Sequence, residues 1–129
     1  MVAKPCLLIV DDEPDMVAFV SDVAEDMGFS CASAENGLGC LELFQSVSPV
    51  GIVLDIVMPD MDGIELVREL ANHDCAAPII AMSGYQKMYL ELLESLANDQ
   101  NAVVLGSLSK PFTASELQAL LKQLLESLD

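Results

Sequence analysis

The sequence predicts a doubly wound α/β domain: a parallel sheet with helices packed on both faces. Short apolar runs alternate with longer helical patterns five times along the chain. Most runs are apolar almost continuously, as strands covered on both sides must be. Glycine and proline punctuate the joins. Five βα units in succession imply right-handed crossovers. With 129 residues, the chain has room for one core, so residues 1–129 are expected to be a single domain with a core from roughly 5 to 127. A hydrophobic content of 53% is enough to fill that core and excludes a disordered chain.

The first strand is read at Cys6-Leu7-Leu8-Ile9-Val10. Pro14 suits the first turn of the first helix, whose stripe is Met16, Val17, Val20, Val23, Ala24 and Met27. Gly28 marks the entry to a second strand over Phe29 to Ser33, and Leu38, Leu41 and Phe44 stripe the second helix. Gly51 introduces the third strand, Ile52-Val53-Leu54, and the third helix carries Ile64, Val67, Leu70 and Ala71. Pro78 introduces the fourth strand, Ile79-Ile80-Ala81-Met82, followed by a fourth helix from Gln86 to Ala97 with Leu90, Leu93, Leu96 and Ala97 inward. The fifth strand is Val103-Val104-Leu105. Thr113-Ala114-Ser115-Glu116 reads as a capping box opening a last helix striped by Leu117, Leu120, Leu121, Leu124 and Leu128, with Leu125 widening the face.

Composition removes several function classes. A formal charge of −16, with only Lys4, Arg68, Lys87, Lys110 and Lys122 as bases, argues against nucleic acid as a direct partner. No apolar run approaches the ~20 residues that span a bilayer, and Met1-Val2-Ala3-Lys4 lacks an export pattern. A soluble cytoplasmic protein with no membrane partner is expected. Cys6, Cys31, Cys40 and Cys75 show no C-x-x-C spacing and read as structural thiols. His73 is the sole histidine, which excludes a multi-histidine metal site, and it is placed in a surface loop.

In open parallel sheets ligands bind beyond the carboxyl ends of the strands. After the first strand come Asp11-Asp12-Glu13, after the third Asp55, and after the fourth Ser83-Gly84. The fifth leads through Ser107-Leu108-Ser109 to Lys110-Pro111-Phe112, whereas the second contributes only Ala34 and Glu35. Three aspartates, a hydroxyl and a lysine thus gather on one rim. Crowded carboxylates must protonate or be neutralised by a cation. Mg²⁺ suits oxygen donors, and a carboxylate beside it can attack a phosphoryl group whose charge a lysine and a hydroxyl would stabilise.

These residues resemble the receiver domains of two-component response regulators, over essentially the whole chain. The resemblance rests on Leu8-Ile9-Val10-Asp11-Asp12-Glu13-Pro14, Asp55-Ile56-Val57-Met58-Pro59-Asp60-Met61-Asp62-Gly63, Met82-Ser83-Gly84 and Lys110-Pro111-Phe112. It implies a flavodoxin-like (βα)5 sandwich with strand order 2-1-3-4-5, an order that the patterning alone does not yield. It further implies Asp55 as phosphoacceptor, with Mg²⁺ (or Mn²⁺ in substitution) held by Asp12, by Asp11 mostly through water, by Asp55 and by the backbone carbonyl of Val57. Lys110 would contact the phosphoryl group, Ser83 would move toward it, and Lys110-Pro111 would be cis. The implied partners are a sensor histidine kinase or histidine phosphotransfer protein, and a downstream target or output domain. Phosphorylation would change the surface of the fourth helix, fifth strand and fifth helix of a monomer or weak dimer. The last helix runs to Asp129, so an output domain is expected to be absent or removed.

One position departs from the family pattern. Three residues before the lysine, where receiver domains often carry Tyr or Phe, this chain has Ser107. The aromatic switch cannot operate there, so the change is expected to pass from Ser83 into the loop bearing Tyr85 and Tyr89. Val57 and Tyr85 stand where bulk hinders attacking water, which predicts a long phosphoryl lifetime. Two other readings compete. A haloacid-dehalogenase-like Mg²⁺-dependent aspartyl-phosphate hydrolase needs an acid two positions after the nucleophile, where Val57 stands, and usually a lid. A phosphorylation-independent binding module normally lacks an acid or the lysine, and here each is present. A switch with no turnover beyond its own phosphorylation and slow dephosphorylation is the reading that remains.

Overall fold

The computed structural model describes residues 4–58, 60–84 and 103–128. Five parallel strands, β1 (Cys6–Val10), β2 (Ser30–Ala34), β3 (Gly51–Asp55), β4 (Ile79–Ser83) and β5 (Val104–Ser109), form one sheet in the order β2-β1-β3-β4-β5. Four helices lie among the described residues: α1 (Pro14–Asp26), α2 (Gly37–Val47), α3 (Gly63–Asn72) and α4 (Ala114–Glu126). This is the flavodoxin-like arrangement. The helix expected over 86–97, with Leu90, Leu93, Leu96, Ala97, Tyr85 and Tyr89, lies outside the described residues.

Strand periodicity divides the core in two. Successive side chains point to opposite faces, so Leu7, Ile9, Val53, Ile80 and Met82 pack with Val20, Val23 and Ala24 of α1 and Leu117, Leu121 and Leu124 of α4. Leu8, Val10, Ile52, Leu54, Ile79 and Ala81 pack with Cys40 and Phe44 of α2 and Leu66, Val67 and Leu70 of α3. Every residue of β3 and β4 is buried, as expected of strands at the centre of a doubly covered sheet.

Several boundaries differ from the patterning. β2 runs from Ser30 to Ala34, one residue later than expected, because Phe29 turns into the core at 1% exposure beside α1 and α4. β5 continues through Ser107, Leu108 and Ser109, where register with β4 overrides weak serine propensity. Leu38 is exposed. The buried face of α2 centres on Cys40 and Phe44, and a residue two before Cys40 lies about 200° round the helix. Leu128 falls beyond the end of α4 and is exposed.

Local signals hold elsewhere. Pro14 occupies the first turn of α1, and the hydroxyl of Thr113 accepts from the amide of Glu116 at 3.1 Å. His73 is the exposed C-cap of α3, its ring edge-on to Phe44. All four cysteines are free, with Cys40 buried and the other three half-buried. Burial raises the Cys40 thiol to about 12.

Candidate functional site

The carboxyl ends of β1, β3, β4 and β5 converge on one rim. Asp11 follows β1, its amide donating to the carbonyl of Ala34 at 3.1 Å, and its side chain is almost fully buried. Asp55 closes β3 and is also buried. Its Oδ1 accepts from the amide of Val57 at 3.0 Å, which folds the following loop back over the carboxylate. Ser83 closes β4, buried and in register with Ser109 of β5. Its carbonyl accepts from the amide of Lys110 at 2.6 Å, so the end of β4 fixes where the lysine leaves β5. Beyond it, Lys110-Pro111 is cis, and Phe112 is held against Phe19 of α1 with ring centroids 5.9 Å apart.

The Lys110 side chain returns to the rim. Its Nζ lies 3.1 Å from Oδ2 of Asp55 and 3.2 Å from Oδ2 of Asp11, with Oε1 of Glu13 at 3.5 Å. Burial alone would lower the ammonium group, but attraction by Asp55 and Asp11 outweighs it and holds Lys110 above its ordinary value. Burial pushes Asp11 above the usual carboxylate range. The Glu13 amide and Lys110 oppose that push, and the charge of Asp55 adds to it.

One carboxylate oxygen from each of Asp11, Asp12, Glu13 and Asp55 lies within 4.8 Å of the others. These are hard oxygen donors, with no histidine or thiol among them. An ion binding oxygen at about 2.1 Å joins donors up to about 4.2 Å apart, so small side-chain rotations would bring them into one shell. The donor set fits Mg²⁺. An open hollow of about 330 Å³, lined by Asp12, Glu13, Asp55, Val57, Gly84 and Lys110, leads solvent to the cluster.

The sequence reading placed Asp11, Asp12, Asp55, Ser83 and Lys110 on one rim. The structure puts Asp11 and Asp55 in contact with Lys110, Asp12 beside them, and Ser83 against the lysine backbone. Val57 donates its amide to Asp55 and leaves its side chain exposed. Ser107 is exposed on β5, paired with Ala81. Two contributions were missed. Glu13 reaches Lys110, although its sequence signal, a third acid after the aspartate pair, was in plain view. Asp60 accepts from the amides of Gly37 and Leu38 at 3.2 Å each, tying the loop after β3 to the start of α2. No local pattern announces that contact.

Comparison with known proteins identifies the family. The family described as the response regulator receiver domain matches residues 7–122. The chain is 36% identical over 122 residues to the chemotaxis protein CheY of Bacillus subtilis, covering 92% of this chain and 96% of that one. It is 31% identical over 126 residues to the regulatory protein AtoC of Escherichia coli, covering 98% of this chain but 26% of AtoC. Among solved structures, the chemotaxis response regulator CheY4 of Vibrio cholerae superposes with a TM-score of 0.82 at 23% identity, covering 95% of this chain and 99% of that one. The receiver domain of the Francisella response regulator 1452 gives 0.81 at 25% identity, covering 97% and 99%. Receiver domains are phosphorylation-dependent switches that bind Mg²⁺ at an acidic pocket and work with histidine kinases and output targets. By sequence, strand order and the acidic rim alike, the chain belongs to the response regulator receiver domain family of two-component signalling.

Proposed function

We propose that residues 1–129 form one receiver unit, core roughly 5–127, that carries a phosphoryl group on Asp55. The contact of the Lys110 ammonium with the buried carboxylates of Asp11 and Asp55, at 3.2 and 3.1 Å, carries this reading. Such a contact backs the Asp55 carboxylate with a positive charge where phosphoryl oxygens would sit. An oxygen of Asp55 attacks phosphorus, the new O–P bond forms as the donor's bond to phosphorus breaks, and the electron pair leaves with the donor. For a histidine kinase or phosphotransfer protein that leaving atom is an imidazole nitrogen. Lys110 keeps its proton and balances the charge gathering on the phosphoryl oxygens. The Ser83 hydroxyl moves toward the same oxygens.

Asp11, Asp12, Asp55 and the backbone carbonyl of Val57 would hold Mg²⁺, with Mn²⁺ as a substitute. When bound, the ion neutralises the crowded acids and draws charge from the phosphoryl group. Hydrolysis by water restores the Asp55 carboxylate and releases inorganic phosphate, and self-phosphorylation with this slow dephosphorylation is the only turnover we assign to the chain. The exposed Val57 side chain lines the hollow, and its bulk together with that of Tyr85 is expected to hinder attacking water and make the phosphorylated form long-lived. Loss of the label within seconds would contradict that. The output is a changed surface around residues 84–97, β5 and α4, read by a protein target or output domain and not directly by nucleic acid. The unit works in the cytoplasm as a monomer or weak dimer.

Intact mass after incubation with a small-molecule phosphodonor and Mg²⁺ tests the chemistry. The expected result is a gain of one phosphate that is lost in Asp55→Asn. No gain in the native chain, or an equal gain in the variant, overturns the assignment.

A further inference from the structure

We infer that Glu13 sets which phosphodonors the site accepts, by adding a fourth negative charge at its mouth; this rests on Asp55 being the phosphoacceptor. Glu13 stands at the N-cap of α1, yet its side chain makes no capping hydrogen bond. Its Oε1 instead lies 3.5 Å from Lys110 Nζ, the side chain is 65% exposed, and one of its oxygens lies within 4.8 Å of those of Asp11, Asp12 and Asp55. It also lines the open hollow that holds Asp55 and Lys110. Its backbone amide donates to Asp11 Oδ1 at 2.9 Å, so the residue is fixed to the cluster at its base while its charge faces the opening.

Charge decides the consequence. Counted as formal charges, four carboxylates and one ammonium give the rim three net negative charges. One divalent cation leaves a single negative charge, and without Glu13 the loaded rim would be neutral. Glu13 therefore works in two opposed directions: it strengthens attraction for Mg²⁺ and repels an anionic donor. The repulsion grows with the donor's own charge. Acetyl phosphate, a dianion at neutral pH, should be disfavoured more than phosphoramidate, whose protonated nitrogen leaves one net negative charge. In both cases Asp55 forms the new O–P bond. Acetate leaves with the P–O electron pair in the first, and ammonia with the P–N pair in the second.

The test compares the native chain, Glu13→Gln and Glu126→Gln. The last removes the same charge at the end of α4, on the opposite rim. Mg²⁺ affinity is read by calorimetry, and phosphorylation by intact mass at saturating Mg²⁺ with each donor. In Glu13→Gln, Mg²⁺ binding should weaken about fivefold while the acetyl phosphate to phosphoramidate rate ratio rises about threefold. Glu126→Gln should leave both unchanged. A rate ratio in Glu13→Gln equal to that of the native chain overturns the inference, as does the same change in Glu126→Gln. Failure of the native chain to react with either donor would instead sink the phosphoacceptor reading beneath it.

Discussion

Helices α2, α3 and α4 begin with Asn36, Asp62 and Thr113, whose side chains accept from the amides of Gly39, Glu65 and Glu116. Helix α1 begins with Glu13, which makes no such bond and reaches Lys110 instead. Three helix starts thus follow the local rule for satisfying free amides, and the fourth gives up the bond for charge at the rim. The contrast marks the acidic rim as the one helix start, among the described residues, where the local rule is not followed. Local rules tend to fail at functional sites because the residue types chemistry needs are not those the helix prefers.

The rim should respond most. Lys110→Met leaves two buried carboxylates without their counter-charge, and urea unfolding without metal should show a loss of about 3 kcal/mol. Mg²⁺ should recover much of it. An unchanged midpoint would show that the lysine does not hold the acids in the folded state. The converse change, Asp11→Asn, should stabilise the metal-free protein at neutral pH. A carboxyl raised in the folded state contributes stability below its unfolded value of about 3.9, and loses it as pH rises through the folded value. The advantage of Asn should therefore shrink as the medium is acidified. Lys110 is also raised, so its contribution lasts through neutral pH and fades only in alkali.

The next largest effect lies at the start of α3. A Cβ on Gly63 would stand 2.7 Å from the Cα of Ile56, and the Gly63 amide donates to the Ile56 carbonyl at 2.8 Å. Gly63→Ala should cost about 2 kcal/mol in the same unfolding assay, because backbone cannot give way as a side chain can. Smaller again, Asn36→Ala and Thr113→Ala should each cost about 1 kcal/mol. Smallest is Glu13→Ala, expected within about 0.5 kcal/mol of the native chain, since an exposed ion pair contributes little. If Glu13→Ala proved as costly as the two cap changes, the contrast between the helix starts would disappear.

Much of this was legible from residue order alone. Continuous apolar runs placed β1, β3 and β4 to within a residue, and the polar residues after them led directly to Asp11, Asp55 and Ser83. The extension of β5 was hidden because Gly106, Ser107 and Ser109 have little strand propensity, and only pairing with β4 draws them into the sheet. Leu38 was misjudged because three-residue spacing drifts off the true face of a helix with 3.6 residues per turn. The reach of Glu13 to Lys110 spans 97 positions in the chain, so only the closed fold brings the two together.

The Asp60 carboxylate has a practical consequence. It fastens two amides of α2 to the loop that begins at Asp55, and those donors sit far from the acidic hollow in sequence. Shifts of the loop should therefore be visible as resonance and exchange changes at Gly37 and Leu38. These two positions offer an observer a natural pair of gauges for events at the end of β3, with no label attached near it.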